Sequence, residues 1–182
     1  MISRLLLILV VLLSSNLLRA DQTDDRLDDL FATLQVTNNI RTIRITESQI
    51  WEIWLQHSNA DVQQLILVGT DRMNTQRYSE AMLVFNRLTE SFPNYAEGWN
   101  KRATLHYVLG NLDASVSDIE KTLALEPRHF GALSGLGMVY IQRKELGNAK
   151  RAFENLIDVH PNSPNAKQNL ELVEEQLRLS VI

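Results

Sequence analysis

AEGWNKRATLHYVLGNLDASVSDIEKTLALEPRH, residues 96–129, is one full copy of a pattern that recurs along the chain. Its proline, Pro127, stands 34 residues after Pro93 and 34 before Pro161. A fixed period of this length marks a supersecondary unit of two helices and a turn, which buries its apolar face only against its neighbours. Three such units give a stacked scaffold with a groove.

The residues around the prolines keep the same step. A shift of 34 superimposes Ala81, Ser115 and Ala149, then Phe85, Ile119 and Phe153, then Leu88, Thr122 and Leu156. It also aligns Gly69, Ala103 and Gly137, with Leu65, Trp99 and Leu133 upstream. Small and large columns alternate because a small residue on the first helix admits the second closely, and large residues fill the flanks. Each proline falls just past the second helix, where the next helix begins and a missing N–H costs nothing.

Trp99, Ala103, Gly110, Leu112, Ser115, Ile119, Leu123 and Pro127 in the middle unit, with Leu133, Gly137, Tyr140, Ala149, Phe153 and Pro161 in the next, resemble the tetratricopeptide repeat (TPR) family. Arg102 and His106 stand where that family usually carries apolar or aromatic residues, and Ser115 replaces the usual alanine. GWNKRATL and LEPRHFGALSGLG also resemble a group of short secreted bacterial proteins built from these repeats. The implied fold class is all-α, an α-solenoid of helix-turn-helix hairpins. The units divide as 62–95, 96–129 and 130–163, with a degenerate helical pair over 21–61 and a capping helix and tail over 164–182.

The resemblance further implies that the first helix of each unit lines a concave face. Carried over by position, the groove residues are Ile66, Thr70 and Met73, then Asn100, Thr104 and Tyr107, then Ser134, Met138 and Ile141. The set is apolar with a few neutral hydrogen-bonding groups, suited to a peptide. The Lys and Asn pattern by which some relatives clamp a terminal carboxylate is not reproduced, since Ile66 and Thr70 occupy the place where it would begin.

Counting back one period reaches Phe31, Leu34, Glu47, Trp51, Trp54 and Leu55, a degenerate fourth unit. Leu27, Leu30, Phe31 and Leu34 have helical spacing, with Asp24, Asp25, Asp28 and Asp29 near the positive end of that helix. Its partner helix is expected to start at Thr46, capped with Gln49, and the following helix at Asp61 with Gln64. Thr37 to Ile45 is then a long connection, with Ile43 and Ile45 extended. Trp51 and Trp54 share a helix face and read either as core packing of this unit or as an exposed anchor pair for an interface. Towards the C-terminus, Ser163-Pro164 opens a helix whose Ala166, Leu170, Val173 and Leu177 form one apolar stripe, as a solvating end cap requires. Leu172, Leu179, Val181 and Ile182 lie partly off that stripe, as a greasy tail or a self-association edge.

Met1 to Ala20 is set apart by composition: Arg4, an unbroken apolar run from Leu5 to Leu13, then a small residue at Ala20. This is the layout of a secretory signal peptide cleaved near Ala20. Leu5 to Leu18, at 14 residues, is shorter than the roughly 20 that cross a bilayer. The mature chain is therefore expected to have no transmembrane span and to be exported, periplasmic or secreted; the absence of cysteine suits a bacterial periplasm better than a disulfide-stapled domain. Removing Arg4 and Arg19 leaves 16 bases against 22 acids, a formal charge of −6. Phosphate-backbone binding depends on clustered Lys and Arg, so nucleic acid is not the expected partner.

Nothing in the chain reads as a catalytic centre. His57, His106, His129 and His160 include no pair at the spacing of a helical zinc site. His57 and His160 fall at the ends of second helices, where a cationic ring suits the negative terminus. Ser134 in Leu-Ser-Gly-Leu-Gly lacks the strand that a nucleophile elbow needs. Gly131, Gly135 and Gly137 follow no strand, which leaves them as close-packing positions or, for Gly131 and Gly135, a thinned groove wall. No catalytic residue, metal or cofactor is expected. The function read from these residues is a protein- or peptide-binding scaffold of the bacterial cell envelope, with a structural subunit that self-associates through its edges as the alternative, and a hydrolase or metalloenzyme as the weakest reading.

Overall fold

The structure is a computed structural model that describes residues 21–180. The segment read as a signal peptide, and Val181 and Ile182, lie outside the described residues. Nine helices and no strand are present among the described residues: α1 (Arg26–Val36), α2 (Ile40–Leu55), α3 (Ala60–Asn74), α4 (Tyr78–Ser91), α5 (Ala96–Val108), α6 (Leu112–Leu125), α7 (Phe130–Gln142), α8 (Leu146–Val159) and α9 (Pro164–Leu179). Helices α3 to α8 form three antiparallel pairs, and the second helix of each pair packs on the first helix of the next element, ending with α8 on α9.

The pairs close as the small and large columns require. A Cβ added at Gly69 would lie 2.3 Å from the Phe85 ring, and one at Gly137 would lie 2.4 Å from that of Phe153. In the middle pair Ala103 faces Ile119 in a shared cluster, so a methyl replaces a hydrogen where a smaller side chain replaces a ring. The hydroxyl of Ser115 is buried and donates to the Ala103 carbonyl at 2.9 Å, satisfying the polar atom that its alanine counterparts lack. The turns repeat as well: Gln76, Gly110 and Lys144, 34 residues apart, all have positive φ, at 59°, 76° and 60°. One left-handed residue ends each first helix.

The N-terminal pair departs from the expected pattern. Helix α2 starts at Ile40, capped by Asn39, whose side chain accepts from the amides of Arg41 and Thr42. Thr46 is therefore not a cap but a buried residue inside the helix, and Ile43 and Ile45 are helical, not extended. Ile43, Thr46, Ile50, Ile53 and Trp54 are all buried, a helical stripe that alternation at Ile43 and Ile45 disguised. Similarly, α3 is capped by Asn59 and not by Asp61.

Helix α2 does not stack on α3 in the way that α4, α6 and α8 stack on their successors. The α1–α2 pair instead lies along the edge of the solenoid where its units join. Gln22 donates to the carbonyl of Asn94, Arg128 donates to Asp28, Gln35 donates to the carbonyls of Asp158 and Val159, and Asn162 donates to that of Thr37. Its apolar side shares a core with the third unit: Leu27, Phe31, Leu34, Ile50 and Trp54 cluster with Phe130, Leu133, Phe153 and Leu156. The pair is a brace along one edge and does not extend the stack as a fourth unit.

Candidate functional site

Five of the nine groove residues expected from sequence surround one cleft between α5 and α7. Asn100, Thr104 and Tyr107 of α5 face Ser134 and Met138 of α7, with Ala103, Ser115, Ile119, Gly131 and Gly135 completing a space of about 250 Å³. The other four lie elsewhere. Ile66 is 2% exposed and belongs to the core of the first pair, against which Met73 packs. Thr70 is half-buried on α3, outside the cleft, and Ile141 packs against the core shared by the N-terminal pair and the third unit.

The repeat register explains why the space opens here and not one unit earlier. Gly131 and Gly135 of α7 occupy the positions that Glu97 and Lys101 hold on α5. Neither glycine puts a side chain opposite Asn100, and the space beside Gly135 stays open, whereas the equivalent Ile66 is buried in the core of the first pair. Gly135 borders open space, since an added Cβ would find only Ile119 Cδ1, at 3.7 Å. Gly131 is different: a Cβ there would lie 2.6 Å from the Trp51 ring, so this glycine seats the N-terminal brace at the end of the cleft.

Behind Asn100 is a buried polar cluster that sequence reading did not anticipate. Glu97 and His129 are 1% and 0% exposed. His129 Nδ1 accepts the Ala132 amide as the N-cap of α7, which puts the ring proton on Nε2, and Nε2 donates to Glu97 Oε2 at 3.0 Å. Asn100 Nδ2 donates to the same oxygen at 2.9 Å, and Lys101 Nζ lies 3.1 Å from Oε1. Burial raises the Glu97 carboxyl, but the His129 hydrogen bond and the Lys101 charge outweigh it and hold the group below the usual carboxylate range. The His129 ring stacks on Trp54 at 4.0 Å, and Lys101 lies over the Trp51 ring. Tyr95 donates to the Trp54 carbonyl, and burial drives its phenol far above its ordinary value. The 34-residue ruler could not find this cluster, because it joins a unit boundary to a pair that stands outside the period.

On the opposite side, Arg102 forks onto Asp118 at 2.7 and 2.8 Å and donates from Nη1 to Asn86 and Thr89. This tie between α4, α5 and α6 explains the charged residue in an apolar column. His106 Nε2 lies 3.8 Å from Asp118. Burial pushes His57, His106 and His160 below the ordinary histidine value, so the neutral ring is favoured at the two helix ends where a cation was expected. Among the described residues no group of three metal-ligating side chains occurs, and no helix is long and apolar enough to cross a membrane.

A family model described as tetratricopeptide repeat matches residues 132–163. A TPR repeat-containing protein of Rhizobium etli is 32% identical over 152 residues, which cover 84% of this chain and 74% of that protein. The chain belongs to the tetratricopeptide repeat family. Sperm-associated antigen 1 of Mus musculus is 28% identical over 112 residues, 62% of this chain and only 12% of that protein. Among solved structures, the first TPR of Spaghetti (RPAP3) bound to the HSP90 peptide SRMEEVD superposes with a TM-score of 0.62 at 21% identity, covering 65% of this chain and 94% of that one. The Yersinia enterocolitica type III secretion chaperone SycD, in complex with a peptide of the translocator YopD, gives a TM-score of 0.61 at 14% identity, covering 65% and 96%. At these identities the structural likeness is one of fold.

Proposed function

We propose that this TPR protein is a non-catalytic binding scaffold, and that the α5–α7 cleft takes a peptide segment of a protein partner. The observation that carries this reading is the cleft itself, a space that opens beside Gly135 and is lined by Asn100, Thr104, Tyr107, Ser134 and Met138. Apolar lining with a few fixed polar groups is the usual make-up of a ligand site. The likeness to TPR units that hold an HSP90 peptide or a translocator peptide supports the same use. We further propose export to the bacterial cell envelope, on the strength of Arg4, the Leu5–Leu13 run and Ala20.

A photo-crosslinking residue placed at Tyr107 or Met138, with exposed Leu83 of α4 as the control position, tests the binding face. Partners should be captured at the two cleft positions and not at position 83. Equal capture at all three would remove the reading. Mass spectrometry of the mature chain tests export: a chain beginning at Asp21 is expected, and an intact Met1 in the envelope fraction would count against it.

A further inference from the structure

The hydrogen-bonding character of the cleft is set by the groups behind it. Glu97 is a buried carboxylate and can only accept. Asn100 therefore has one amide orientation, with Nδ2 turned to Glu97, because the reverse would press Oδ1 against a carboxylate oxygen. His129 fixes the carboxylate from the other side. Asn100 Oδ1 accepts nothing from the described protein and is not among the unbonded atoms sealed from solvent. It is the face that Asn100 offers to the cleft. One turn along α5, the Thr104 hydroxyl donates its only proton to the Asn100 carbonyl at 2.9 Å, so it too offers lone pairs. The hydroxyls of Tyr107 and Ser134 can turn either way, and no residue lining the cleft is charged.

We propose that the cleft selects an uncharged internal peptide segment that brings hydrogen-bond donors, either main-chain N–H or a side-chain carboxamide, and rejects a free C-terminal carboxylate. The proposal rests on the groove reading above. A carboxylate carries acceptors only. Against Asn100 Oδ1 and Thr104 Oγ1 it would meet lone pairs, and it would shed water with only the neutral hydroxyls of Tyr107 and Ser134 to donate to it and no cation to balance its charge. An extended segment meets the opposite conditions. Its N–H groups find the two acceptors, its backbone can approach where Gly135 has no side chain, and its apolar groups reach Ala103, Ile119 and Met138. The absent carboxylate clamp is thus an inverted polarity and not merely a missing lysine.

Two peptide display libraries panned on the folded chain test this. One presents random segments ending in a free carboxylate, and the other embeds the same segments between flanking sequences. The embedded library should enrich, with Asp and Glu depleted from the consensus. Affinity for the enriched peptides should fall roughly tenfold in Thr104→Val, the loss of about one hydrogen bond, with an unchanged melting temperature because Thr104 is exposed. Enrichment of carboxylate-terminated peptides whose binding is lost in Tyr107→Ala would overturn the proposed polarity while leaving the groove reading in place. Enrichment of neither library, or of peptides indifferent to both Tyr107→Ala and Thr104→Val, would remove both.

Discussion

Gly69 and Gly137 are glycines because Phe85 and Phe153 occupy the volume that a Cβ would need. The matching residue of the middle unit is Ala103, and Ile119 faces it. A rigid ring within 2.4 Å of the new atom cannot yield by rotating a flexible end. Gly137→Ala should therefore cost about 1–3 kcal/mol, as overpacking usually does, read as a lower urea midpoint with an unchanged slope. Adding Phe153→Ile rebuilds the Ala–Ile pairing of the middle unit and should recover part of that loss. Full additivity of the two changes would show that the columns do not compensate each other.

At the scale of elements, a pH-sensitive junction joins α2 to the end of α8. His160 caps α8 with a buried ring, and its Nδ1 lies 3.5 Å from Glu47 Oε1. Burial, with a contribution from Lys167, lowers the His160 pKa, and burial raises that of Glu47. A ring whose folded pKa lies below its unfolded value of 6.5 leaves the unfolded chain binding more protons as the pH falls, so stability drops. His57 and His106 act in the same direction, and Glu47, raised above 4.5, opposes them in the lower part of the window. The melting temperature should accordingly fall between about pH 7.5 and about pH 5.5. A flat or rising profile would contradict the neutral, buried state of these rings.

Elements also show what could be read from residue order alone. Helices α3 to α9 follow, apart from the cap of α3, from a period that three prolines and the small columns repeat. The start of α2 does not, because Asn39 is an unremarkable cap and Ile43 and Ile45 mimic a strand. The cleft was half legible. Asn100, Thr104, Tyr107, Ser134 and Met138 follow from position in the unit, but whether a position faces a cavity depends on its opposite number. Ile66 failed on that point, with Glu97 and Lys101 standing where α7 has two glycines.

For the whole molecule, the brace changes what kind of solenoid this is. A simple repeat array has contacts only between neighbours and can lose its ends one unit at a time. Here Trp54, 1% exposed, stacks on His129, touches Phe130 and takes a hydrogen bond from Tyr95 through its carbonyl. One residue thus links α2 to both boundaries of the middle unit, to the one before it through its backbone carbonyl and to the one after it through its ring. Trp54→Ala should cost about 3–5 kcal/mol, the range for a large core aromatic. The wild-type chain should unfold in one transition, with tryptophan fluorescence and helix content changing together. Two separated transitions would mean that the brace and the stack are independent.

The same brace dictates an order of events during synthesis. Gln35 bonds the carbonyl of Val159, 124 residues further along the chain, and Asn162 returns a bond to Thr37 across 125. Helices α1 and α2 emerge first, yet the surfaces that bury Phe31, Ile50 and Trp54 exist only once α7 and α8 have formed. Local pairs assemble quickly and distant contacts wait on loop closure. The apolar stripe of the N-terminal pair therefore stays uncovered until α7 and α8 are made, and its docking waits on helices that follow it by about a hundred residues.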